Sequence, residues 1–144
     1  MRCYGKHAAM WARIVFSALE GGPDVREART FVRDCAAACL GNSSPLVDDM
    51  ETMASEVLTN AVRYTASGQA NGSIAVLVQA SAGRLRVTVR DDGHATTLPR
   101  VGPVHLEAGS GRGLLIVEAL SNDWGVEIGP EPQRPVTVWF EVAK

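Results

Sequence analysis

Residues 44–65, SPLVDDMETMASEVLTNAVRYT, decide how the chain is read. Ser44-Pro45 has the form of a helix start, because proline suits the first turn, where its missing N–H has no partner to lose. Beyond it Met50, Met53, Ala54, Val57, Leu58, Ala61 and Val62 recur at helical spacing. That spacing puts them on one stripe, so the segment reads as a helix resting on a core by one face. It runs to about Thr65 and breaks in Ser67-Gly68-Gln69-Ala70-Asn71-Gly72.

Strand patterns follow. Ile74 to Ala80 is almost continuously apolar, and Ser81-Ala82-Gly83 turns the chain. Leu85, Val87 and Val89 then alternate with Arg84, Arg86, Thr88 and Arg90, the pattern of a half-buried antiparallel strand with a solvated basic face. Upstream, residues 12–20 (ARIVFSALE) read as a first strand stopped by Gly21-Gly22-Pro23. Asp24 then caps a helix over Val25 to Leu40, with Glu27 placed as in a capping box, and Gly41-Asn42 ends it.

Residues 94–110 hold Pro99, Gly102, Pro103 and Gly109 and show no period. A loop of this length in a small domain is functional or mobile. Gly111-Arg112-Gly113 then opens an apolar helix, Leu114 to Leu120. Two closing strands are expected, Trp124 to Ile128 and Val136 to Val142, the latter with Val136, Val138, Phe140 and Val142 on one face. This order predicts an α+β two-layer sandwich, a mostly antiparallel sheet with helices on one face. One domain is expected over 12–144, with 1–11 as an N-terminal extension.

Composition bounds the function. In 144 residues, 46% hydrophobic and 21% charged, there is enough apolar material for one core, which excludes a disordered chain. The net charge of −2 leaves no basic stripe, so direct nucleic-acid binding is not expected. No apolar run approaches the ~18 residues of a membrane span, and Met1 to Phe16 does not read as a leader peptide. Of three cysteines, Cys35 and Cys39 stand four apart in a helical stretch and read as small buried side chains; none has zinc-ligand spacing. A reduced, cytoplasmic protein is expected.

Three short patterns carry chemistry. Glu56 and Asn60, at i and i+4, point the same way from the flank of the helix, well off its apolar stripe. Asp91-Asp92-Gly93 ends a strand, but no hairpin partner follows promptly. Gly109-Ser110-Gly111-Arg112-Gly113 stands directly before a helix, where glycines let backbone N–H groups approach phosphate and the helix N-terminus adds partial positive charge.

In this order the patterns resemble the N, G1 and G2 boxes of the GHKL ATPases, the gyrase and histidine-kinase superfamily with the Bergerat ATP-binding fold. The flanks SEVLTNAVRYT, VTVRDDG, GSGRGLLIVEALSNDWGV and TVWFEV are similar to the small anti-sigma-factor serine kinases of Gram-positive bacteria and their actinobacterial relatives. The likeness covers roughly residues 12–143. It implies a nucleotide, ATP or ADP, with Mg²⁺ held through the amide of Asn60. It makes Glu56 the general base for an incoming serine hydroxyl, and Asp91 the acceptor for the adenine amino group. Gly93 would let the base lie close and Thr137 would join the nucleotide contacts. Residues 94–108 would form a lid, and Gly109, Gly111, Arg112 and Gly113 would line the phosphates.

The resemblance also implies partners, a sigma factor and a small anti-anti-sigma antagonist, and a homodimer. Where relatives carry a second glycine after the Asp-x-Gly this chain has Ala95, and where they often carry histidine it has Tyr64. A phosphate-side lysine before the last strand is replaced by Pro135-Val136, with Arg134 just ahead. The same boxes also fit a nucleotide-gated module that binds a protein partner without phosphorylating it.

Overall fold

The computed structural model describes residues 10–17, 22–95 and 110–144, and of the side chains at 110–113 nothing is described. Its elements in chain order are β1 (Met10–Ser17), α1 (Val25–Leu40), α2 (Pro45–Tyr64), β2 (Ser73–Ser81), β3 (Arg84–Arg90), α3 (Ser110–Leu120), β4 (Asp123–Ile128) and β5 (Val136–Ala143). A single 3₁₀ turn, Ala66–Gly68, follows α2. The strands form one sheet in the order β1-β2-β3-β5-β4, and every neighbouring pair is antiparallel.

Local chemistry sets the helix ends. The Asp24 carboxylate accepts from Arg26 N at 2.8 Å, and Ser44 Oγ accepts from Leu46 N at 3.3 Å with Pro45 in the first turn. Gly41 closes α1 in a positive-φ conformation, φ 91°, and donates to Ala37 O at 2.9 Å. The first strand differs from expectation. Pairing fixes it, from Met10 opposite Ala80 to Ser17 opposite Ser73, where β2 itself begins. It therefore starts earlier than the apolar run implied, and Ala18–Glu20 lie outside the described residues.

The core lies between one sheet face and the helices. Ile74, Val76 and Val78 of β2, Leu85, Val87 and Val89 of β3, and Val136, Phe140 and Val142 of β5 are buried against Met50, Met53, Leu58 and Val32. Truncating any of the large members of this set to alanine costs about 2–5 kcal/mol. The helices lie side by side across this face: α1 packs over β2 and β3, α2 over β3 and β5, and α3 beside β4. Arg33 bridges Asp48 and Glu51, and Arg29 lies 3.7 Å from Glu51, which joins α1 to α2 along their solvent edge. Such exposed pairs contribute at most about 1 kcal/mol each. This is the α+β two-layer sandwich expected, with a fully antiparallel sheet.

Neither described cysteine is in a disulfide among the described residues: Cys35 is buried and Cys39 half-buried. Burial pushes the Cys35 thiol up, away from the reactive thiolate. Among the described residues no helix is long and apolar enough to cross a membrane.

Candidate functional site

The alternation of β3 decides where the carboxylate after it points. Leu85, Val87 and Val89 face the core and Arg90 faces out, so Asp91 turns inward and is 7% exposed. Its Oδ1 accepts two backbone N–H groups, from Gly93 at 2.7 Å and from Val136 at 3.0 Å. Oδ2 accepts no hydrogen bond among the described residues. One oxygen thus fixes the side chain, and the other is an acceptor held ready in a partly desolvated place. Burial pushes the Asp91 carboxyl above the usual carboxylate range, against the opposing pull of the Val136 and Gly93 N–H groups.

The sign of that shift gives a prediction. As pH rises from the ordinary value of 3.8 through the raised one, the folded state keeps a proton that the unfolded chain has released. Stability therefore falls with rising pH across that window. Asp91→Asn removes the titration, and its denaturant midpoint, followed upward from about pH 4, is expected to lack that decline. A wild-type contribution that grows with pH in the same window would contradict the assignment.

The neighbours of Asp91 brace the turn. The Asp92 carboxylate accepts from Ser73 N at 2.7 Å and from Ser73 Oγ at 2.9 Å, and Asp92 N donates to Ser67 Oγ at 2.8 Å. Gly93 O accepts from Ala66 N at 2.9 Å, and His94 N donates to Gln133 O at 2.7 Å. Gly93 has φ 82°, and a methyl group on it would overlap the Gln133 carbonyl. Sequence reasoning missed Ser67, Ser73, Asp92 and the Val136 N–H, because all act across more than one element. The period of β3 already carried one signal: extended past Val89, it sends Asp91 inward and Asp92 outward.

These bonds tie the Asp91–Gly93 turn to the end of α2, and α2 carries the other polar pair. Asn60 lies about 9 Å before Ala66 along the helix axis and Glu56 about 15 Å, at 1.5 Å per residue. At about 100° per residue, Asn60 is half a turn round the axis from Glu51, the residue paired with α1. It therefore lies on the flank of α2 away from α1, the side on which α3 packs. Asn60 is half-buried, and its amide takes no partner among the described residues. Glu56, also half-buried, lines a recess of about 210 Å³ with Arg29, Glu51, Thr52 and Ser55. Asp91 lines another, of about 330 Å³, with Arg90, Asp92, Pro130, Gln133 and Pro135.

Not every expected residue joins this arrangement. Thr137 pairs with Arg90 and Glu127 and alternates against the buried Val136 and Val138, so it stands on the opposite face of the sheet from Asp91. The strand position beside Asp91 belongs to Val136, through its backbone N–H. The helix expected from Gly111-Arg112-Gly113 begins at Ser110, so these residues form its first turn. Gly109 and residues 96–108 of the expected lid lie outside the described residues. Among the described residues no three His, Cys, Asp or Glu side chains gather into a metal site. A cation held here through Asn60 would draw its remaining ligands from phosphate and water, which is how Mg²⁺ is held in nucleotide sites.

This geometry is that of a helix-covered sheet with a braced carboxylate at its end. The sequence matches the model of the histidine kinase-like ATPase domain over residues 18–138. The chain belongs to that family, so its fold is that of the GHKL ATPases, an ATP-binding domain. No individual curated protein matches the chain.

Proposed function

We propose that this protein is a nucleotide-dependent regulator of the anti-sigma-factor kinase type, which binds Mg-ATP and transfers its γ-phosphate to a serine or threonine of a small antagonist protein. One observation carries the reading: the Asp91–Gly93 turn is tied to the 3₁₀ turn that ends α2, and Asn60 and then Glu56 follow at increasing distance back along that helix. An extended nucleoside triphosphate presents its base, its phosphates and its acceptor side in the same order. Asp91 Oδ2, with Oδ1 already engaged, is the acceptor for an exocyclic amine. The uncommitted amide of Asn60 fits a cation ligand. Bound Mg²⁺ would neutralise phosphate charge during transfer. Glu56 would take the proton from the incoming hydroxyl. The chain's main work would be positioning and charge neutralisation, which dominate phosphoryl transfer. Thr137 is left out of the nucleotide contacts. A sigma factor is the second partner this reading assigns, and the cytoplasm the compartment.

The primary test is direct. Calorimetry with about 1 mM Mg-ATP or Mg-ADP is expected to give a saturable heat. At about a hundredfold excess over Kd, binding adds about 2.7 kcal/mol to the folded state. For a chain of this size that raises Tm by roughly 5–10 °C. No heat and no shift would end the reading. A pull-down from the native host with and without Mg-ATP, followed by mass spectrometry of phosphorylated serines in the retained proteins, tests the partner and the transfer together.

A further inference from the structure

The two edges of the sheet differ. At one, β4 is six residues long, is interrupted by Gly125 and carries Asp123 and Glu127, both exposed. Short length and charge are the ordinary protection of an edge, whose outer N–H and C=O groups would otherwise pair with an extended chain. At the other, β1 is eight residues long, MWARIVFS, and runs without a bulge from Met10 opposite Ala80 to Ser17 opposite Ser73. It holds no proline, no glycine and no carboxylate. Among the described residues it pairs with β2 alone. In an antiparallel ladder alternate residues turn their N–H and C=O away from the neighbouring strand, so about four residues of β1 present these groups outward.

The side chains of β1 are apolar and open on both faces. Trp11 is 43% exposed and Val15 48%, on the face turned away from the helices. Ile14 is 37% exposed on the helix side, where Phe16 enters the core edge-on to Phe31 of α1. Arg13 stands between Trp11 and Val15 on the same face as both, exposed, with no hydrogen bond or ion pair among the described residues. Across the ladder it has Leu77 directly opposite and Ala75 and Gln79 to either side, none of them charged. The single charge of β1 is thus set in apolar surroundings without a counter-charge.

We propose that the β1 edge is the docking site for an extended segment of a partner protein, which adds a sixth strand beside β1. The pattern of β1 states what that segment carries: a carboxylate opposite Arg13, and apolar residues two places to either side, opposite Trp11 and Val15. Main-chain hydrogen bonds to the outward groups of β1 hold the strand, and these cross-strand pairs fix its register. The chain itself offers no such strand beside this edge. A second copy pairing through its own β1 supplies no carboxylate in any register. Residues 1–9, MRCYGKHAA, hold Arg2 and Lys6 and no acidic residue. The contact uses none of Glu56, Asn60 and Asp91, so it stands or falls apart from nucleotide binding.

The test uses the full chain without nucleotide and a labelled synthetic heptapeptide: glutamate at its centre, valine two places to either side, threonine elsewhere. Fluorescence polarisation with peptide up to about 1 mM, the range of a weak complex, is expected to show saturable binding. Amide hydrogen exchange is expected to slow at alternate residues of β1, those turned away from β2, and not on β4. Arg13→Glu is expected to weaken binding at least about fivefold, and to bind a lysine-centred peptide more tightly than the wild type does. That reversal also shows that the variant folds. If it does not fold, the wild type decides with two peptides methylated on alternate backbone nitrogens. One set faces β1 and the other faces solvent, so only one of the two is expected to lose binding. No binding, slowing confined to another part of the chain, equal affinity of Arg13→Glu for the glutamate peptide, or equal loss with both methylated peptides would overturn the proposal. So would outward β1 amides already slow without peptide: slowing that grows with protein concentration makes a second copy the occupant, and slowing independent of it makes the chain's own residues the occupant.

Discussion

Glu56→Gln is expected to lower phosphoryl transfer to a serine substrate by on the order of 10²–10⁴-fold. Its Mg-ATP affinity is expected to stay within about twofold of the wild type, because the change keeps the side chain's shape and removes only its ability to take a proton. Glu56 lines the recess with Arg29, Thr52 and Ser55, further along α2 than Asn60 from the end that carries Asp91. The proposed function assigns it the acceptor side of the site. Asn60→Ala should behave differently: removing the proposed cation ligand is expected to lower Mg-ATP affinity itself, along with any partner capture that depends on nucleotide. The two positions are one helical turn apart, so a general weakening of α2 would affect both variants alike, and equal Tm values are the control. Full transfer by Glu56→Gln would remove it as the base. A wild type that captures a partner more tightly with ATP yet transfers nothing would leave a nucleotide-gated binding module in place of a kinase.

Much of the fold is local enough to be read from the residues. The two long helices stand where their caps and stripes put them, because Asp24, Ser44-Pro45 and Gly41 act on groups within a few residues of themselves. The hairpin of β2 and β3 follows equally from alternation and from Ser81-Ala82-Gly83. What local pattern does not fix is decided by pairing. That β1 already includes Met10 and Trp11 depends on their pairing with Ala80 and Gln79, not on the apolar run that begins at Ala12. The insertion of β5 between β3 and β4 is likewise a property of the whole sheet. The site divides in the same way. Glu56, Asn60 and Asp91 show in short patterns. The brace around Asp91, from Ser67, Ser73 and the Val136 N–H, joins residues far apart in the chain. Thr137 shows the reverse case: the spacing that places Val136 and Val138 in the core already turns it to the other face, and motif likeness alone had grouped it with the nucleotide contacts.

Gly93→Ala is expected to destabilise the protein in the absence of any nucleotide, by about 3–4 kcal/mol. Two causes add. The residue sits at φ 82°, which costs an alanine roughly 1–2 kcal/mol. The new methyl also meets the Gln133 carbonyl, and what it meets is backbone, which cannot swing aside as a flexible side chain would. Relief would require the loop between β4 and β5 to move, and that would pull Gln133 O from His94 N and Val136 N from Asp91 Oδ1. A buried acceptor that loses one of its two donors adds to the cost. At roughly 2–4 °C per kcal/mol for a chain of this length, Tm should fall by about 6–16 °C. This separates two reasons for the glycine. If it serves only to let a purine ring lie close, Gly93→Ala keeps the wild-type Tm without nucleotide and loses affinity alone. If it serves the packing of the turn against residues 133–135, Tm falls first. Affinity is then expected to fall with it, because Asp91, the carboxylate proposed to read the base, is held by the same turn.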